Sequence, residues 1–295
     1  MRLRIAAVIL AFLGAFACMA NPALAEPFET RAPVAYLIDV THNAVLYARN
    51  ADRHIEPASM TKMMTAYVVF DLVASGKVSL DQKVTVSDAI WRRWHGARGG
   101  STMFLRARET VTVADLLTGL LTVSANDAAY ALADGVAGSP GAFVDLMNAK
   151  AAELGLNDSH FASPNGWPDG KATYSSAHDL ARLAVATLQT YPDLYHRFYG
   201  RPSLAWGQGA HGRTITQPAT NPLLGRVDGA DGLKTGFTNG AGYCLTGSAV
   251  QHGRRLVLVV AGLPSEKARV DESVRLMTWG FTTERVSSEK PGSPG

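Results

Sequence analysis

The sequence predicts an α/β fold in which a mainly antiparallel sheet, flanked by helices, carries an inserted helical lobe. Three observations lead there: strand hairpins lie near both ends of the chain, helical segments fill the middle, and no alternation of single strands and helices joins them. With 295 residues, 47% hydrophobic and 18% charged, the chain is long and apolar enough to bury its own core, which excludes a disordered protein. A net charge of +3 gives no electrostatic argument for a nucleic-acid partner.

The first 25 residues stand apart from this pattern. Arg2 and Arg4 precede an uncharged apolar run over 5–17, and Ala23-Leu24-Ala25 fits a small-x-small cleavage site, so 1–25 is expected to be a secretory signal peptide. The run is shorter than the ~20 residues of a membrane span and is followed by Asn21-Pro22, which makes an uncleaved anchor the weaker alternative. Ala15-Phe16-Ala17 before Cys18 lacks the large aliphatic residue of a lipoprotein signal. Cleavage would leave 26 basic and 25 acidic residues, and Cys244 alone. A single cysteine permits no internal disulfide and reads as a small buried hydrophobe.

Along the remaining chain, 34–50 forms two strand-like runs about Thr41-His42-Asn43, a hairpin. Helical periodicity follows over 57–73, 113–121, 127–138, 141–154 and 177–190. Strand signals return over 233–263, where 242–250 and 255–263 flank the turn Gln251-His252-Gly253 as a second hairpin. Residues 265–281 are again helical, and 287–295 are a polar Pro/Gly stretch. Neither an internal repeat nor a linker divides the chain. The expected organisation is therefore signal segment 1–25, one catalytic unit 26–285, and a polar tail 286–295.

The helix from Pro57 to Phe70 is apolar or weakly polar on every face, as buried helices are, yet it holds Lys62 as its one charge. An unpaired buried ammonium is costly, and a cation in the first turn opposes the helix dipole, so stability alone does not favour it. Ser59, three residues earlier, shares its helical face. A desolvated lysine of depressed pKa could take the proton of the Ser59 hydroxyl. The alternative is that Ser59 caps the helix while Lys62 extends to solvent.

Ser59-x-x-Lys62 is cheap in isolation, since Ser287-x-x-Lys290 matches too, and Ser124-Ala125-Asn126 is duplicated by Ser163-Pro164-Asn165. Lys234-Thr235-Gly236 is rarer. Specificity comes from the set in this order: Ser-x-x-Lys opening a buried helix, Ser-x-Asn between two helices, and Lys-Thr-Gly in a strand region. With its context, the set resembles the low-molecular-mass penicillin-binding proteins that are D-alanyl-D-alanine carboxypeptidases. The likeness runs from about residue 30 to 285 and includes Asp231-Gly232-Leu233 before the lysine, Ala241-Gly242-Tyr243 after it, and Leu276 to Phe281. It implies a β-lactamase/transpeptidase-like fold.

The resemblance also implies roles. Ser59 would attack the peptide carbonyl between two terminal D-alanines, forming an acyl-enzyme that water hydrolyses, with Lys62 as its base. Ser124 and Lys234 would pass a proton to the leaving amine, Asn126 would hold the substrate amide, and Thr235 would bind the terminal carboxylate. Gly236 lies in the same strand motif, and the backbone at Phe237 would complete an oxyanion hole with the Ser59 N–H. Arg269 matches an arginine before the last helix that could pair with the substrate carboxylate; an ordinary surface arginine is the alternative. The implied partners are stem peptides ending in D-Ala-D-Ala, with β-lactams as covalent inhibitors. Neither nucleic acid nor a stable membrane anchor is expected, because only about a dozen polar residues follow Phe281. A soluble, exported, periplasmic enzyme is the expectation. A D,D-endopeptidase, a β-lactamase and a non-hydrolysing penicillin-binding sensor remain open.

Two features point elsewhere. Glu153-Leu154-Gly155-Leu156-Asn157 fits the Glu-x-x-Leu-Asn pattern of class A β-lactamases, but its glutamate falls in the last turn of a helix that Gly155 ends. Trp91 to His95, with Arg98, is a basic aromatic cluster that could touch glycan and reads more simply as a solvated loop. Eight histidines show no pair at metal-ligand spacing, and no phosphate loop occurs, so neither metal nor nucleotide cofactor is implied.

Overall fold

Alternation of apolar residues sets the sheet. In β9 (Arg254–Leu263), Leu256, Leu258 and Val260 enter one apolar cluster while Val257, Val259 and Ala261 enter another, so both faces of the strand are covered. Together with β1 (Val34–Asp39), β2 (Ala44–Arg49), β7 (Ala230–Thr238) and β8 (Gly242–Gln251), it forms a five-stranded antiparallel sheet in the order β2-β1-β9-β8-β7. The computed structural model describes residues 28–96, 99–209 and 212–283; the expected signal segment 1–25, Arg98 and the expected tail 286–295 lie outside the described residues.

One helix covers the first face. α8 (Glu266–Thr282) packs on β9, β8 and β1, and Gly280 brings it so close that an added Cβ would meet Leu37 at 2.6 Å. On the second face lie α1 (Lys62–Ala74), which a 3₁₀ turn over Ala58–Thr61 opens, and α6 (Ala177–Thr190). Beyond them the helical lobe consists of α2 (Asp88–Trp94), α3 (Val113–Thr122), α4 (Asn126–Ala137) and α5 (Pro140–Glu153), with the short strands β3 (Lys83–Thr85) and β4 (Thr110–Thr112) paired at its edge. Side-chain caps start several of these: Thr112 accepts from Asp115 N, Ser139 from Ala142 N, Ser176 from Asp179 N and Ser265 from Ala268 N. α7 (Pro192–Phe198) and the hairpin of β5 (Ser203–Gln208) and β6 (Thr214–Pro218) follow.

The expected α/β architecture with an inserted helical lobe is the one observed. The cluster from Trp91 to His95 is a correction: it is the end of α2, not a solvated loop. Ser87 caps that helix by accepting from Ile90 N, and Trp94 is 1% exposed. Arg93 lies over the Trp94 ring at 4.4 Å, so the basic aromatic run is a helix with one buried and one charged face. Cys244 is buried as expected, and burial pushes its thiol up to about 11.

α1 is the axis between sheet and lobe. Phe70 on it is fully buried and stacks on Phe198 at 5.9 Å, with Tyr191 and Tyr199 at its edge. Phe70→Ala is expected to cost about 3–5 kcal/mol, read from the midpoint of urea unfolding at unchanged m-value.

Candidate active site

The site forms where three chain segments meet around one amine. Lys62 opens α1 and is fully buried. Its Nζ lies 2.9 Å from Ser59 Oγ, 2.8 Å from Asn126 Oδ1 and 3.1 Å from the Asn165 carbonyl oxygen. Ser59 does not cap the helix, and Lys62 does not reach solvent, so the competing reading of that pair is excluded. Thr65, one turn further on, donates to the Pro164 carbonyl at 2.5 Å and ties the same loop to α1.

Asn126 is the first residue of α4 and is 4% exposed. Both ends of its amide are held: Nδ2 donates to Gly99 O at 2.8 Å, while Oδ1 accepts from Lys62 and from Asn165 Nδ2 at 3.1 Å, which leaves one N–H of Nδ2 free among the described residues. Ser124 is buried in the turn between α3 and α4, where its φ of +63° is in the left-handed region that serine rarely occupies. Asp127 follows, buried, and accepts from the backbone of Met103 at 3.1 Å and Leu105 at 3.0 Å, which fixes the loop beside Asn126.

Across the cleft runs β7, the edge strand of the sheet. Lys234 is 1% exposed and donates to the Thr235 carbonyl at 3.0 Å. Thr235 is 6% exposed, whereas Phe237 is 48% exposed with its ring 4.2 Å from that of Tyr243. Gly236 faces the 3₁₀ turn of Ser59, and a Cβ there would lie 2.7 Å from Pro57 O. The strand backbone therefore approaches the serine as no larger residue would allow. Arg269, in the first turn of α8, is 6% exposed rather than an ordinary surface arginine; it pairs with Glu266 at 3.0 Å and stands over the Tyr243 ring at 5.6 Å. Its Nε has no hydrogen-bond partner among the described residues.

A cleft of about 1470 Å³ joins these parts, with Ser59, Ser124, Asn126, Thr235, Phe237 and Arg269 on its walls. Lys62 and Lys234 lie behind them. Burial holds Lys62 well below the ordinary lysine range; the Lys234 charge lowers it further and Asp127 acts against both. Burial, followed by the Arg269 charge, brings Lys234 down to about 7. Burial raises Asp127, against the pull of its backbone N–H donors.

All nine residues singled out in the sequence thus gather around one cleft. Asn165 was missed, and its signal was visible: Ser163-Pro164-Asn165 is the second Ser-x-Asn match, which spacing could not separate from the first. Gly166 next to it has a φ of +69°, and a Cβ there would lie 1.9 Å from Ala58 O, so the loop closes tightly under the Ser59 turn. Glu153 is exposed and bonded to Lys150 at 2.7 Å, which fits its reading as a helix end.

Solved structures share this architecture. The D-alanyl-D-alanine carboxypeptidase DacD of Francisella tularensis superposes with a TM-score of 0.84 at 31% identity, covering 92% of this chain and 76% of its own. Penicillin binding protein 6B of Escherichia coli gives 0.80 at 41% identity, over 88% and 80%. The class is therefore that of the serine-type, penicillin-binding peptidases. Residues 20–265 match the family described as D-alanyl-D-alanine carboxypeptidase, and the chain belongs to that family. Among its curated relatives, D-alanyl-D-alanine carboxypeptidase DacD of Escherichia coli strain K12 is 40% identical over 292 residues, 97% of this chain and 73% of the relative.

The depressed lysines carry a stability signature. With Lys234 near 7 in the folded chain and near the ordinary lysine value when unfolded, the unfolded state binds more protons over the window between them, so stability rises with pH there. Between pH 7 and 9, Lys234→Met is expected to lose on the order of 2 kcal/mol of that rise relative to wild type, measured by denaturant unfolding at both pH values.

Proposed function

We propose that this chain is a serine D,D-carboxypeptidase, which removes the terminal D-alanine of peptidoglycan stem peptides through an acyl-serine intermediate and is acylated at the same serine by penicillins. Membership of the family and the names of its relatives support the reaction; the contacts of one amine carry the mechanism. Asn126 Oδ1 and Asn165 O only accept hydrogen bonds, so they take the two N–H groups of a neutral Lys62. The remaining lone pair then faces Ser59 Oγ, 2.9 Å away. A neutral amine aimed at a hydroxyl is a general base.

Ser59 Oγ attacks the carbonyl carbon as its proton passes to Lys62, and the carbonyl electrons move onto oxygen. The backbone N–H groups of Ser59 and Phe237 stabilise that oxyanion, a contribution of about 3 kcal/mol per donor in comparable sites. Ser124 and Lys234 relay a proton to the leaving nitrogen, the C–N bond breaks, and free D-alanine departs. Water then attacks the ester and regenerates Ser59. Asn126 holds the substrate amide, while Thr235 and Arg269, both on the cleft wall, bind the terminal carboxylate. Gly236 lets the strand lie close to the nucleophile.

The reading places 26–285 as one catalytic unit that works outside the cytoplasmic membrane, supported by the signal-like first 25 residues. No described helix is long and apolar enough to cross a membrane.

Incubation with a penicillin is expected to add one adduct by intact mass, lost in Ser59→Ala. Lys62→Met should slow its formation by about 10²–10⁴-fold. A pentapeptide ending in D-Ala-D-Ala should release free D-alanine. Cleavage of cross-linked dimers alone would instead indicate an endopeptidase, rapid penicillin turnover without peptide product a β-lactamase, and stable acylation without peptide product a sensor. Because the Asp127 charge raises Lys62, Asp127→Asn is expected to move the acid limb of the acylation pH profile to lower pH.

A further inference from the structure

Phe104, in the helical lobe, is held where stability alone would not put it. It is 53% exposed, and its φ of +62° lies in the left-handed region that bulky residues avoid. The Asp127 carboxylate imposes this by gripping the chain on both sides of it: Oδ1 accepts from Met103 N at 3.1 Å and Oδ2 from Leu105 N at 3.0 Å. Met103 and Leu105 are buried in the core, and Phe104 is left outside at the apex between them. Backbone strain that serves to expose an aromatic ring is a mark of a contact surface.

Phe104 lines a pocket of about 200 Å³, whose aromatic side is Trp91, Trp94 and His95, with the rings of Trp91 and His95 stacked at 4.2 Å. Asp127 and Arg106 line it too. Oδ2 of Asp127 takes one backbone bond and keeps acceptor capacity, while Oδ1 takes a second from Ala128 N. The exposed Arg106 uses one guanidinium nitrogen on the Gln208 carbonyl, at 3.0 Å, and keeps other N–H donors. The volume is below the ~300 Å³ of a site that encloses a drug-sized molecule, so the pocket suits one ring or one substituent.

These features select the occupant. A carboxylate and a guanidinium in one pocket balance in charge, which favours a neutral group. Their opposite hydrogen-bonding senses require that group to carry both a donor and an acceptor, and the rings require an apolar face. An acetamido group on a pyranose ring meets all three conditions, with its N–H for the carboxylate, its C=O for the guanidinium, and its methyl and the sugar C–H face for the rings. Continuity with the catalytic cleft names the polymer. Gly100, Ser101 and Asn126 line that cleft, and the next residues, Thr102 and Asp127, line the pocket, so one loop and one helix start wall both. Stem peptides are carried on strands of N-acetylated amino sugars.

We propose that this pocket is a glycan subsite, which takes an N-acetylated amino sugar of the peptidoglycan strand with Phe104 as its stacking platform. The choice of polymer rests on the carboxypeptidase reading; the sugar class rests on the pocket alone.

Two neutral tetrasaccharides test it: chitotetraose, built of N-acetylglucosamine, and cellotetraose, which has hydroxyl groups in place of the acetamido groups. Titrated calorimetrically into the full chain, chitotetraose is expected to bind about tenfold or more tightly than cellotetraose. Phe104→Ala should weaken chitotetraose about five- to tenfold, whereas Phe104→Tyr, which keeps the ring, should not. Both variants should be acylated by a penicillin at the wild-type rate, since Phe104 does not line the catalytic cleft. Absence of chitotetraose binding, equal binding of the two sugars, or binding that Phe104→Ala leaves unchanged overturns the proposal, and release of D-alanine from the pentapeptide then stands without it. Selective chitotetraose binding without any D-alanine release overturns the carboxypeptidase reading and the choice of polymer with it, while the sugar class stands.

Discussion

The burial of one amine organises this molecule. Lys62 is removed from water and lies near a second buried cation, Lys234, so its protonated form is the costly one. Meeting that condition takes the 3₁₀ turn before α1, the turn that leads into α4 and the loop over 163–167. Each of the three has backbone in the left-handed region at the point of closure: Ala58 at +49°, Ser124 at +63° and Gly166 at +69°. Strain of this kind costs on the order of 1–3 kcal/mol per non-glycine residue and persists only where surrounding packing imposes it. Here the apolar surroundings of α1, from Met60 to Phe70, supply that packing.

Charge is graded through the site. Lys62 is lowered by Lys234, and Lys234 by Arg269, so three basic groups run in series from Lys62 to Arg269, each raising the cost of charging the next. Arg269 stays charged because guanidinium does not give up its proton in this range. An anion bound beside Arg269 would relieve this repulsion. Binding of an anion at that end of the cleft and the protonation of Lys234 and Lys62 are therefore electrostatically coupled. Asp127 balances the other end, close enough to affect Lys62 yet occupied by backbone donors.

Much of this was legible from residues alone. Hairpins at both ends were readable because period-two alternation and turn residues are local signals, and α6 begins and ends where its periodicity does. The odd lysine in an apolar helix marked the centre of the candidate site before any fold was known. What escaped depended on tertiary contact. α2 was hidden because Trp and Arg at adjacent positions look solvated until α4 and Trp167 are packed against Trp94. β3 and β4, three residues each, are too short to show a period. Asn165 contributes a main-chain oxygen to Lys62, a contact that residue type does not specify even where a Ser-x-Asn match marks the loop.

That a sheet edge forms one wall of the cleft has a consequence for the protein in crowded solution. An unpaired strand is a template on which another chain can assemble, and Phe237 on β7 is among its exposed large apolar residues. Across the cleft this edge faces Ser59, Ser124 and Asn126, residues of the turn before α1 and of the lobe. Whatever occupies the cleft beside β7 therefore also covers an edge on which another chain could otherwise pair.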